Sequence, residues 1–98
     1  MIIYTQSKLV ELNISGNPFG NEGIQWIFRG LACAKQLTQV YLADCGWEDT
    51  DEVMECLQLS MTKNEVLARY DLKHNSMSDE GIEMLCEILG KANHVQGI

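Results

Sequence analysis

The sequence predicts an α/β fold built as a solenoid, with a parallel sheet lining its inner side and helices covering the outer side. Three observations carry this. A strand-like apolar pattern recurs in phase along the chain, a helical apolar stripe follows each copy, and these units account for nearly all of the 98 residues. A length of 98 residues allows one domain, and the phasing divides it into units of about 9–36, 37–66 and 67–94, with a fourth opening at 95–98. Composition is that of a globular chain, 46% hydrophobic and 21% charged.

The first strand is read from Leu9-x-x-Leu12-x-Ile14-x-x-Asn17-x-Phe19. The second is Leu37-x-x-Val40-x-Leu42-x-x-Cys45-x-Trp47, and the third Leu67-x-x-Tyr70-x-Leu72-x-x-Asn75-x-Met77. Starting points at Leu9, Leu37, Leu67 and Val95 lie 28, 30 and 28 residues apart, and Ile98 falls on the second apolar position of the fourth unit. Alternation places Leu12 and Ile14 on the core face of the first strand and Glu11 and Asn13 on the other. Asn17, Cys45 and Asn75 occupy the position where the chain leaves the strand, where a short polar side chain can satisfy backbone groups that no ladder reaches.

Helices follow at Ile24, Ile27, Leu31, at Met54, Leu57, Met61, and at Ile82, Leu85, Leu89, each an i, i+3, i+7 stripe expected to be buried. Asn21, Asp51 and Asp79 are N-cap residue types with Glu directly behind them, and Lys35, Lys63 and Lys91 fall at or just beyond the helix ends. The two extra residues of the middle unit fall in Glu48-Asp49-Thr50, between strand and helix, where insertion is cheapest. One unit cannot bury its apolar side alone; stacked units can.

These residues resemble leucine-rich repeats of the ribonuclease-inhibitor-like subfamily. A unit near 28 residues, a full helix per unit and Asn alternating with Cys at Asn17, Cys45 and Asn75 carry the resemblance. So do the blocks Gly16-Asn17-Pro18-Phe19-Gly20-Asn21-Glu22-Gly23-Ile24 and Asn75-Ser76-Met77-Ser78-Asp79-Glu80-Gly81-Ile82. The resemblance implies a right-handed βα superhelix, a cytoplasmic or nuclear location, and a concave face that binds another protein. It further implies that a stretch as short as Met1 to Lys8, and a C-terminal end with nothing polar to close it, belong to an excerpt of a longer array or to a chain that self-associates through open repeat ends.

Function classes are bounded by charge. Fourteen acidic against seven basic residues give a net charge of −7, which disfavours nucleic acid and anionic membrane as partners. Met1-Ile2-Ile3-Tyr4 lacks the charged region and long apolar region of a secretion leader. Cys33, Cys45, Cys56 and Cys86 form no C-x-x-C pair and are read as reduced thiols, with disulfide or metal use as the alternative. No phosphate loop, nucleophile elbow or zinc-protease motif occurs, so no catalytic residue, metal or cofactor is assigned. The acidic run from Glu48 to Glu55 lacks the glycine turn and ligand spacing of a calcium loop and is read as helix-dipole compensation. Asn13-Ile14-Ser15 is formally a glycosylation sequon, but its place inside a strand argues for chance.

The partner-binding positions are those facing away from the core: Glu11, Gln39 and Arg69 in one column, Asn13, Tyr41 and Asp71 in the next, then Lys73 and His74. Tyr beside Arg and Asp has the composition of an interface anchor. Ser15, Ala43 and Lys73 form a third column, and Gly16, Asp44 and His74 a fourth. Asp44 and His74 are read as solvated surface groups, with a pH-sensitive pair as the alternative. Trp47 and Phe28 are assigned to the core; Trp26 is either packed on a neighbouring helix or an interface anchor. The function expected is a protein-interaction module. Self-association is one alternative. Another follows from the resemblance: the Ran GTPase-activating proteins share this repeat type, and Arg69 or Asn13 would then lie near a phosphate.

Overall fold

A computed structural model describes residues 9–97. The expectations placed on Met1 to Lys8 and on Ile98 lie outside that range. Strands and helices alternate: β1 (Glu11–Asn13), α1 (Gly20–Leu31), β2 (Gln39–Tyr41), α2 (Asp51–Lys63), β3 (Arg69–Asp71) and α3 (Asp79–Lys91). The strands pair in parallel in the order β1-β2-β3. Glu11 pairs with Gln39 and Gln39 with Arg69, Leu12 with Val40 and Val40 with Tyr70, Asn13 with Tyr41 and Tyr41 with Asp71. A one-residue slip would turn Val40 and Tyr70 out of the core, so burial holds this register. Gly97 bridges Arg69 in the same sense.

The core lies between the sheet and the helix layer. Val40, Leu42, Leu37 and Leu67 from the strand segments meet Ile24, Phe28, Leu31, Met54, Leu57 and Met61 from α1 and α2. Burying each such side chain contributes about 1.5–3 kcal/mol. Trp47 is fully buried and meets Phe28 edge-on, with ring centroids 5.8 Å apart. Helix α2 packs between α1 and α3, and its apolar stripe is closed on both sides.

Two expectations about the helices are corrected. The stripe of α3 was expected at Ile82, Leu85 and Leu89, but Ile82 is exposed and the buried set is Gly81, Leu85 and Ile88. Helix α3 packs on α2 alone, and no described helix follows to cover the side that carries Ile82. The N-caps also differ. Thr50 accepts from Val53 N and Ser78 from Gly81 N, so Asp51 and Asp79 are first-turn acids one position further in. Asn21 lies inside α1, whose N-cap Phe19 makes no side-chain cap bond. Its Oδ1 accepts instead from Glu48 N at 2.6 Å, tying the first unit to the second.

Candidate protein-binding face

Residues 11, 13, 39, 41, 69 and 71 share the side of the sheet opposite the core, because side chains alternate along each strand and the register is aligned. Tyr41 is half-buried, and its hydroxyl donates to Gln39 Oε1 at 2.9 Å, which fixes the ring on the face. Asp71 accepts from Lys73 N at 3.2 Å through Oδ1, while Lys73 Nζ lies 3.9 Å from Oδ2. Arg69 is exposed and makes no ion pair among the described residues. Tyr41, Arg69, Tyr70, Asp71, Lys73 and Gly97 enclose a depression of about 260 Å³.

The structure thus gathers four of the expected positions, Tyr41, Arg69, Asp71 and Lys73, at one place. Gln39 orients Tyr41 without lining the depression. Glu11 and Asn13 lie on β1, two strands away from Arg69 and Asp71. Ser15 Oγ accepts from Ala43 N at 2.9 Å, so its column stitches units together. Asn13 is the last residue of β1 and exposed, and its Oδ1 accepts from Ser15 N.

His74 is exposed but stands apart from the depression. It and Asp44 have φ of 59° and 53°, and Gly16 has φ of 79°. The column Gly16, Asp44, His74 is therefore a left-handed turn that ends each strand, a conformation costly for residues other than glycine. No hydrogen bond or ion pair joins Asp44 to His74 among the described residues.

The turn is held by the Asn/Cys position beside it. Asn75 Oδ1 accepts from Cys45 N at 2.8 Å, and Nδ2 donates to Leu42 O at 2.9 Å and Leu72 O at 3.1 Å. Asn17 Nδ2 donates to Ile14 O at 2.8 Å. Cys45 Sγ contacts the same carbonyl at 3.5 Å, and burial pushes its thiol pKa up against the lowering hydrogen bonds of the Asn17 and Gly16 backbone. All four cysteines carry free thiols: Cys45 and Cys56 are buried, Cys33 half-buried and Cys86 exposed.

Three polar groups that bond one unit to the next escaped the sequence reading. Tyr70, taken there as an apolar substitute, is fully buried and shares a 2.8 Å hydrogen bond with Ser60 Oγ; burial raises its phenol to about 12. The signal was a Ser inside the α2 stripe opposite a Tyr in a core strand. Buried Asn64 donates to Leu31 O at 2.7 Å and Ala34 O at 3.0 Å, and accepts from Val66 N and Leu67 N at 2.9 Å. Its signal was a polar residue in a slot that is Ala34 and Ala92 in the other units. Asp49, read as part of the insertion and of an acidic run compensating a helix dipole, accepts from Ser78 N and Ser78 Oγ at the start of α3. The Ser78 hydroxyl holds its carboxyl below the usual range.

The Leucine Rich repeat family profile matches residues 5–27 and 71–86. Mouse ribonuclease inhibitor is 33% identical over 89% of this chain, and pig ribonuclease inhibitor 28% over 92%. This chain is a leucine-rich repeat protein of the ribonuclease-inhibitor-like type. The NACHT, LRR and PYD domains-containing protein 3 of Mus musculus is 31% identical over 88% of the chain. The chain spans 8% of that protein's length and 19% and 20% of the mouse and pig inhibitors. Among solved structures, leiomodin-1 actin-binding site 2 superposes with a TM-score of 0.82 at 17% identity, covering 95% of this chain and 53% of that one. The tropomodulin C-terminal domain of Caenorhabditis elegans superposes at 0.75, also with 17% identity, over 95% of this chain and 55% of that one. These two show the shared leucine-rich repeat fold. Repeats of this kind make protein-interaction modules, since their stacked units present a continuous concave surface.

Proposed function

We propose that this leucine-rich repeat segment is a non-catalytic binding module that engages a protein partner through the sheet face around Tyr41. The observation that carries this is the depression lined by Tyr41, Arg69, Asp71 and Lys73. These side chains do no core packing, one is an oriented aromatic, and they stand on a scaffold stitched from unit to unit. Interface hot spots favour such a combination of Tyr and Arg. The names of the relatives agree in kind, since one inhibits ribonuclease and leiomodin-1 binds actin. Cytoplasm or nucleus is the compartment proposed, supported by four thiols without a disulfide.

The test compares two double variants against proteins retained by the wild-type chain. Tyr41→Ala with Arg69→Ala is expected to abolish retention, and Glu55→Ala with Gln58→Ala on the exposed side of α2 to leave it intact. The opposite pattern would overturn the assignment to the sheet face.

Self-association is a second reading, favoured by the exposure of Trp26 at 65% and Ile82 at 49%. Sedimentation equilibrium should then show a dimer that Ile82→Glu disperses; a monomer at high concentration excludes it.

A further inference from the structure

We infer that the depression beside Tyr41 recognises an acidic segment of the protein partner, with Arg69 receiving a Glu or Asp carboxylate; this rests on the sheet-face reading above. The chain is strongly acidic, yet its cations are not scattered. Arg29, Lys63 and Lys91 lie in the last turns of α1, α2 and α3, and Lys35 lies just beyond α1. A cation in a last turn complements the helix dipole, and Arg29 also stacks over the Trp26 ring at 5.1 Å while Lys63 Nζ lies 4.0 Å from Cys33 Sγ. The remaining described cations, Arg69 and Lys73, both line the depression.

Within it the charges are unequal. Asp71 is engaged by the Lys73 backbone N–H and, at 3.9 Å, by the Lys73 ammonium. Among the described residues Arg69 has no such counter-charge, so they leave one positive charge over at the depression. Gly97 explains how the guanidinium is held there. A Cβ at Gly97 would stand 3.2 Å from Arg69 Cγ and 3.5 Å from Cζ and Nε. The Arg69 side chain therefore lies across the bare backbone of Gly97, next to Tyr41. A planar fork beside a fixed aromatic ring suits a carboxylate better than any other group a protein side chain offers.

The test is a series of ¹H–¹⁵N spectra of the full chain titrated with the peptide Ac-Gly-Glu-Glu-Gly-NH2, and with versions carrying Gln or Lys in place of Glu. The acidic peptide should move the amide signals of Tyr41, Arg69, Lys73 and Gly97, more at low than at raised ionic strength. The Gln peptide should leave them in place. Arg69→Gln should weaken the acidic peptide about fivefold. Gly97→Val should weaken it as well by displacing the guanidinium, while Lys63→Gln leaves it unchanged. If the Lys peptide moves the same signals and the Glu peptide does not, the sheet face still binds and the acid preference is overturned. The preference is equally overturned if the Glu and Gln peptides act alike, or if Lys63→Gln abolishes the shifts and Arg69→Gln does not.

Discussion

Asn64→Ala should destabilise the chain more than any change on the sheet face. The wild-type amide fills four hydrogen bonds from a buried position with 4% exposure. Removal does not cost four equal terms. Leu31 O keeps the N–H of Ala34 as a donor at 3.2 Å. Val66 is 45% exposed, so water can reach its vicinity. Ala34 O and Leu67 N, on residues only 6% and 0% exposed, are left with no replacement. Each buried group so orphaned costs about 1–2 kcal/mol, and the net loss of the other bonds adds about 0.5–1 kcal/mol. The sum is about 3 kcal/mol, against a total near 5–10 kcal/mol for a domain of this length. Urea unfolding followed by far-ultraviolet circular dichroism reads it directly. With a slope of about 1.5 kcal/mol per molar, the midpoint should fall by about 2 M. A fall under about 0.5 M with an unchanged slope would mean that water or a relaxed backbone replaces the amide, and the reasoning would be refuted.

Gly81→Ala should lower stability by about 1–2 kcal/mol in the same assay, because the new methyl would meet Asp49 Cβ and Cγ at 2.7 Å and drive the carboxylate from the start of α3. Asp49 also sets an acid dependence. Its folded pKa is lowered, so its contribution is present above the unfolded carboxylate range near pH 4 and lost as pH falls through the folded value; Asp49→Asn should flatten stability between neutral and acid pH relative to wild type. For Tyr70 the sign reverses. A phenol raised to about 12 stabilises the fold below the unfolded value near 10 and loses that contribution as pH rises through 12. Absorbance at alkaline pH should show Tyr70 ionising together with unfolding, and Tyr70→Phe should remove that phase while costing about 1 kcal/mol at neutral pH through an orphaned Ser60 hydroxyl.

The strand columns and the stripes of α1 and α2 were legible because they depend on periods of 2 and 3.6, which are properties of the local chain. Trp47 was placed in the core by its column with Phe19 and Met77, and Phe28 by its place beside the stripe of the first helix. The register that aligns Glu11, Gln39 and Arg69 followed from the same phasing, since identical units stack in step. The stripe of α3 was misread at Ile82 because exposure depends on what packs against a helix, and that is not written in the helix itself. Thr50 and Ser78 were missed as caps by one residue, a shift that capping geometry decides and residue type does not.

At the sheet face, residue types and columns came from the sequence, since alternation dictates which side chains leave the core. Which of them converge was a tertiary matter. Tyr41, Arg69, Asp71 and Lys73 meet because Tyr41 is turned by Gln39, because Asp71 is engaged by Lys73, and because Gly97 leaves space under Arg69. Partners 28 to 33 residues apart, such as Asp49 with Ser78 or Asn64 with Leu31, likewise exist only once the units are stacked. Periodicity describes one unit and repeats it. Bonds between units depend on the residues in which each unit departs from the repeat, and those departures acquire meaning only in three dimensions.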